Sequence, residues 1–173
     1  MLRTFNLFII LLIALSTHAY ADDLDSRMRD ARNRQSTPEQ LMKFLDDKDW
    51  QVRRELASNR RATAAMLNTL AKDPDKRIRI TVITNTQTSD DTHYMLAGDA
   101  HVEVRSVVAR YEYTSARVMA KLSADANPDI RAEVAKNWNT DIKTLKKLLN
   151  DEFEEVSNNA AVELAKRKSE NTE

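Results

Sequence analysis

The chain has 173 residues and carries 27 basic and 27 acidic side chains, so its formal charge at pH 7 is zero. It contains no cysteine, which excludes disulfides, thiolate nucleophiles and thiolate-bound metal clusters. The balanced charge gives no support for general binding to nucleic acid, and we expect none. One glycine, three prolines and no strand-like alternation predict an all-α chain with short connections.

Residues 1–21 have the layout of a secretory signal peptide. Arg3 precedes the apolar run LFIILLIAL at 7–15, and alanines stand three and one residues before the expected cut. The apolar run is shorter than the roughly 20 residues that span a bilayer, so a retained anchor is the weaker alternative. We therefore expect a periplasmic or secreted protein, with no membrane insertion after signal removal and a mature chain that begins at Asp22.

Residues 22–33, DDLDSRMRDARN, predict a capping helix at the N-terminal end of the domain that follows. The segment aligns weakly with the second helix of the repeated units described next, because its arginine, alanine and asparagine fall in their columns. A repeat array needs such a cover on its first apolar face.

The chain then repeats itself every 26 residues. An aspartate recurs at this period, and an arginine stands six residues after each of its first four copies. The aspartates are Asp47, Asp73, Asp99, Asp125 and Asp151, and the arginines are Arg53, Arg79, Arg105 and Arg131. Apolar columns keep the same period without gaps, which indicates internal repetition. The units are 34–59, 60–85, 86–111, 112–137 and 138–163.

Each unit predicts two short helices. A Ser, Thr or Asp opens the first helix, and β-branched or small apolar residues at i and i+4 mark the second. The predicted caps are Thr37, Thr63, Ser89, Ser115 and Asp141. Neither helix can bury its apolar stripe alone, so we expect the units to stack into a right-handed α-solenoid of about five two-helix repeats. Residues 164–173 are predicted to be a polar C-terminal tail.

The repeated aspartate and arginine are interpreted as a structural ladder. An Asp between two helices can accept backbone N–H groups at the first turn of the second helix. The Arg six residues later can pair with the Asp of its own unit or of the next one. Repeats need identical joints whereas binding sites are usually unique, so this interpretation is preferred to an anion site.

The units resemble known helical repeats. The Asp…[Val/Ile]-Arg spacing is similar to HEAT and armadillo-type repeats, and VRRELASNRRAT and IRAEVAKNWNTD resemble the leucine-rich repeat variant. That family carries V-R-x-x-V-A-x-N-P followed by a Thr-capped helix ending in L-A-x-D. The resemblance covers about 34–163 and implies a binding scaffold. No unit has the Pro after the Asn, and Tyr111, Ser157 and Glu163 also depart from the pattern.

Motifs for catalysis are absent from the sequence, which contains no Gly-rich phosphate loop, GxSxG or HExxH. We therefore expect no enzyme, no catalytic residue and no cofactor. One alternative is a metal-dependent factor that uses the third unit, where acids and histidines cluster in SDDTHYMLAGDAH. The candidate ligands are Asp90, Asp91, His93, Asp99 and His101. The first four of these also fit a repeat column or a helix start, so no metal site is predicted.

Aromatic residues interrupt the polar turns between units. Tyr111 and Tyr113 occupy one turn and Trp138 the next, where other units have Asn, Arg, Thr or Gln. Tyr, Trp and Arg supply much of the energy at protein interfaces. The three rings, with Arg60 and Arg61 on the same edge, are the predicted partner-binding residues. The alternative is that the rings fold back over the neighbouring unit and fill its core.

These features predict an exported, non-enzymatic scaffold that binds another protein. An inhibitor or immunity-type partner of one envelope enzyme is an alternative that the sequence does not separate from it. We expect a monomer. Arginines near the N-terminal end and the acidic DEFEEVS at 151–157 leave end-to-end association open.

Overall fold

The structure, a computed structural model, describes residues 23–170. Within this range the chain is all-α, with eleven helices and no strand. The predicted signal peptide and the last three residues of the predicted tail lie outside the described residues.

The helices are distributed two to each sequence unit after α1. They are α1 (23–31), α2 (Pro38–Met42), α3 (Trp50–Ser58), α4 (Ala64–Leu70), α5 (Lys76–Ile83), α6 (Asp90–Leu96), α7 (Val102–Arg110), α8 (Ala116–Leu122), α9 (Pro128–Lys136), α10 (Ile142–Leu148) and α11 (Glu154–Glu170).

The predicted Ser, Thr and Asp residues cap the N-termini of the even-numbered helices. Each cap side chain accepts a hydrogen bond from the backbone N–H three residues later, which satisfies a donor that the helix leaves free. In α2 the cap Thr37 and Gln40 bond reciprocally, forming a capping box.

The odd-numbered helices from α3 onward carry the buried apolar pairs. Their spacing of four residues places both members on one helix face. The pairs begin at Val52, Ile78, Val104, Ile130 and Val156, and each of these side chains is at most 1% exposed. Each of these helices contacts the next odd-numbered helix, so one buried cluster extends from Ala31 to Ala160.

Asparagines at the ends of the odd-numbered helices tie neighbouring units together. Asn59 Nδ2 donates to the Ala31 and Asn33 carbonyls, at 2.8 and 3.1 Å. Asn85 and Asn137 make the same pair of bonds to the preceding unit. All three asparagines are buried, so these bonds satisfy side-chain amide groups that have little contact with water.

The prediction of a polar tail at 164–173 needs correction for residues 164–170. They continue α11 to Glu170. Leu164 packs against the core, and Arg167 donates to the Thr140 carbonyl at 2.5 Å and the Trp138 carbonyl at 2.9 Å. Residues 164–170 are helical because they cover the last unit and satisfy its turn.

Candidate partner-binding edge

The repeated Asp and Arg residues form ion pairs between successive units. Arg105 Nε and Nη2 donate to the two Asp125 oxygens at 2.7 and 3.1 Å. The same bidentate arrangement joins Arg53 to Asp73, Arg79 to Asp99 and Arg131 to Asp151. Arg27 of the capping helix pairs with Asp47 and so begins the series. The carboxylate partner is always in the next unit.

Each of these four arginines also donates from Nη1 to the backbone carbonyl of the Asp in its own unit, as Arg105 does to Asp99 at 2.8 Å. The Asp carboxylate accepts the N–H of the residue two positions later, as Asp125 does from Asn127 at 2.9 Å. That residue is the N-cap, which lies before the helix rather than in its first turn. The N–H group that donates to the Asp therefore lies one residue earlier in the chain than the first-turn donors expected from the sequence.

Hydrogen bonding lowers the pKa of three of these carboxyls. At Asp99 and Asp125, burial favours the neutral form, but donation from the arginine and a backbone N–H outweighs it and lowers the pKa. At Asp151, the hydrogen bond from Arg131 is the largest cause of the lowered pKa. These aspartates are charged joints of the fold at neutral pH.

The third unit does not gather its acids and histidines into a metal site. Asp90 and Asp91 both bind Arg117, at 2.9 and 2.8 Å, while Asp99 binds Arg79. In residues 23–170 no group of three His, Asp or Glu side chains could hold a metal ion.

The turns between units lie side by side and form what we call the turn edge, residues 31–37, 58–63, 84–89, 110–115 and 136–141. The asparagine bonds place the second turn beside the first and the third beside the second. Asn139 Nδ2 reaches the Glu112 carbonyl at 2.6 Å, which places the fifth beside the fourth. A shared cleft joins the third turn to the fourth.

Two of the three predicted aromatic residues are largely exposed on this edge. Tyr113 is 66% and Trp138 is 65% exposed. Tyr111 is half-buried and packs against the core, with its ring edge-on to Tyr113 at 5.6 Å between centroids. The rings of Tyr113 and Trp138 therefore do not fold back into the core, whereas Tyr111 supports its neighbour.

The cleft shared by the third and fourth turns has a volume of about 380 Å³ and lies between the two tyrosines and the third turn. His93 lines this cleft and is 6% exposed, with its ring 5.5 Å from that of Tyr111. Its Nε2 lies 2.9 Å from the Ile83 carbonyl. Because a carbonyl only accepts, Nε2 carries the proton in this contact.

Arg60 and Arg61 lie exposed in the second turn, two turns away from the tyrosines. The Arg61 backbone N–H donates to Asn59 Oδ1 at 2.9 Å, so the turn itself is held by hydrogen bonds. All five predicted partner-binding residues thus occupy the turn edge, with the arginines nearer the N-terminal end and the rings nearer the C-terminal end.

His93 has a role that the sequence interpretation missed. In the second unit the Asn85 amide donates to the Ala57 carbonyl, and the equivalent carbonyl for the third unit is that of Ile83. Tyr111 stands in place of the Asn and has no amide, so His93 supplies the donor. Arg167 acts similarly in the last unit, where Glu163 replaces the Asn. Its Nη2 donates to the Asn137 carbonyl, and its Nε donates to Glu163 Oε1 at 2.8 Å. The sequence did carry a signal for this role, because the third unit has His93 where other units have Leu or Met and Tyr111 where they have Asn.

Comparison of the chain with known proteins finds no matching family model, no matching curated protein and no matching solved structure. Among the helices of residues 23–170, none is long and apolar enough to cross a bilayer.

Proposed function

We propose that this protein is an exported, non-enzymatic scaffold, a right-handed α-solenoid of about five two-helix units, that binds another protein along its turn edge. The order of the helices and the ion pairs repeated at one spacing support the stacked architecture. Export rests on the signal-peptide layout of the first 21 residues.

The observation that carries the binding proposal is the exposure of Tyr113 and Trp138 in consecutive turns. Both positions are polar in the other units, so neither ring is needed to build a turn. Tyr and Trp lose large areas of apolar surface to a partner at low entropic cost, which is why they dominate interface energies. The backbone of the two turns is held in place by hydrogen bonds from Asn139 to the Glu112 carbonyl and from Arg167 to the Trp138 carbonyl.

A capture experiment tests this proposal. Tyr113→Ala with Trp138→Ala should weaken capture of the partner from envelope extract by at least about 2 kcal/mol. The matched control is Met42→Ala with Val162→Ala, which removes two side chains that are 58% and 69% exposed outside the turn edge. Proteins retained by the parent and the control, and lost by the ring variant, identify the partner.

Thermal unfolding distinguishes a binding edge from a core contact. Because both rings are mostly exposed, the ring variant should unfold within about 0.5 kcal/mol of the parent. If the variant is strongly destabilised while its folded fraction captures the same proteins, the rings belong to the fold and the proposal is wrong.

Export has its own test. The protein should be released by osmotic shock with Asp22 as its first residue. A chain that keeps Met1 in a membrane fraction would contradict the proposed localisation.

A further inference from the structure

The arginines of this protein divide into paired and unpaired sets. Of the fifteen in residues 23–170, eight form an ion pair with a carboxylate. The seven that form no ion pair within the described part of the chain are Arg29, Arg32, Arg34, Arg54, Arg60, Arg61 and Arg110. Six of these seven lie between residues 29 and 61, so the unpaired guanidinium groups are concentrated at one end.

Four of the unpaired arginines occupy two adjacent turns. Segments 31–37 and 58–63 contain Arg32, Arg34, Arg60 and Arg61 and no acidic residue, and all four side chains are exposed. The Asn59 side chain holds the two segments together through its bonds to the Ala31 and Asn33 carbonyls. We call these four residues the arginine patch.

The patch differs from the other turns of the same edge. The third turn, TNTQTS at 84–89, has no charged residue, and the fourth turn contains Glu112 between its two tyrosines. Eight of the eleven arginines outside the patch in residues 23–170 are matched with carboxylates, many in bidentate geometry. Guanidinium is weakly hydrated and planar, so it favours carboxylate partners that it can bind with two N–H groups.

We propose that the arginine patch binds an acidic segment of the protein partner. Another part of the same partner would lie on Tyr113 and Trp138. This inference rests on the proposed function, since both surfaces belong to the turn edge. Adjacent turns are about 10 Å apart if neighbouring helices pack at the usual distance. A polyproline-II segment rises about 3.1 Å per residue and presents every third side chain on one face, about 9.3 Å apart. Acids at every third residue therefore match the turns.

The test uses a defined probe. A fluorescein-labelled peptide of four Glu-Pro-Pro repeats is titrated with protein purified after expression of the full chain, and binding is followed by fluorescence anisotropy. A Gln-Pro-Pro peptide of the same length is the neutral control. We expect the Glu peptide to bind at low salt, to weaken several-fold as salt rises because the contact is ionic, and to bind at least fivefold more tightly than the Gln peptide.

Matched variants locate the contact. Arg60→Gln with Arg61→Gln should weaken binding of the Glu peptide at least fivefold. Lys146→Gln with Lys147→Gln removes two adjacent exposed cations at the end of α10 and should change binding less than twofold. Arg34→Gln is a second, single change in the neighbouring turn that should weaken binding about twofold or more, and it serves if the double variant does not fold.

Several results would overturn the inference: no binding of the Glu peptide, equal binding of the Gln peptide, or equal weakening by the lysine variant. Binding of the protein to phosphatidylglycerol vesicles or to duplex DNA through Arg60 and Arg61, without binding of the peptide, would replace the acidic segment with another anion. Failure of the proposed function is seen separately, in the capture experiment with the ring variant, which leaves the arginine patch unchanged.

Discussion

Each column aspartate connects two units with a single carboxylate. Asp125 accepts both Arg105 donors from the preceding unit and the Asn127 N–H of its own turn. The Arg105 side chain is 17% exposed and that of Asp125 is 6% exposed, so removal of either partner leaves a charge with restricted access to water. An incompletely paired charge in such a place costs more than the net value of the pair.

Asp125→Ala should therefore lower the free energy of unfolding by about 1–3 kcal/mol. The expected causes are the loss of the Arg105 ion pair and of the acceptor for Asn127 N–H. The urea midpoint measures the change. Glu112→Ala is the control, because this exposed acid lies in a turn and should change the midpoint little. Equal midpoints for the two variants would remove the structural role assigned to the aspartate column.

Acid should weaken the fold through the same carboxyls. The folded-state pKa values of Asp99, Asp125 and Asp151 are lowered relative to the usual value. Their contribution to stability is present above the unfolded-state pKa of about 3.9 and is lost as pH falls through the lower folded-state values. The urea midpoint should change little from these groups between about pH 6 and 5 and should decline below about pH 4.

Asp151→Asn tests the origin of that decline. The amide oxygen can still accept the Phe153 N–H, but the side chain no longer carries the charge that Arg131 binds. The variant should be less stable than the parent at pH 6, and the gap should narrow as the solution approaches about pH 3. A gap that stays constant over this range would show that Asp151 does not contribute through its ionisation.

At the scale of elements, the third unit joins its neighbour by a different donor. Asn59, Asn85 and Asn137 reach back to carbonyls of the preceding unit, whereas Tyr111 leaves that position without an amide. His93 of α6 fills the gap by donating to Ile83 at the end of α5. This exchange places a ring, rather than an amide, beside the cleft of the turn edge.

His93 and Tyr111 should therefore be energetically coupled. His93→Leu matches the apolar residue of other units but leaves the Ile83 carbonyl without its donor, at an expected cost of about 1–3 kcal/mol. His93→Leu with Tyr111→Asn restores the pattern of the second unit and should recover much of that loss. A double-mutant cycle from urea unfolding should show a coupling of about 1 kcal/mol or more. Additive changes would show that the histidine does not replace the asparagine.

At the scale of the whole molecule, both ends of the buried cluster need a cover. The capping helix α1 places Ala31 in the core and begins the ion-pair series through Arg27. At the other end α11 extends to Glu170, with Leu164 against the core and Arg167 across the last turn. The helix is 17 residues long, whereas the other helices after α1 have at most nine.

Truncation after Glu163 should destabilise the whole array. It removes Leu164 from the core and leaves the Thr140 and Trp138 carbonyls without the Arg167 donor, so we expect a loss of about 2 kcal/mol or more. Lys166→Ala, an exposed change in the same helix, should leave the urea midpoint almost unchanged. A truncated protein as stable as the parent would mean that residues 164–170 cover nothing essential.

Much of the helical frame could be predicted from the sequence, because its determinants are local or recur at one period. Ser, Thr and Asp caps act on amides three residues away, and apolar pairs at i and i+4 define a buried face without knowledge of the fold. The even-numbered helices are therefore capped by Thr37, Thr63, Ser89, Ser115 and Asp141, as predicted.

The candidate site was only partly predictable. The sequence by itself determined that aromatic residues break the polar pattern of the turns, since a departure from a column is visible without coordinates. Tertiary structure decided that Tyr113 and Trp138 are exposed while Tyr111 is half-buried, that each repeated column arginine binds the next unit's aspartate, and that His93 takes the place of a missing asparagine. These outcomes depend on contacts between units, where several partners lie within reach of one side chain and only packing selects among them.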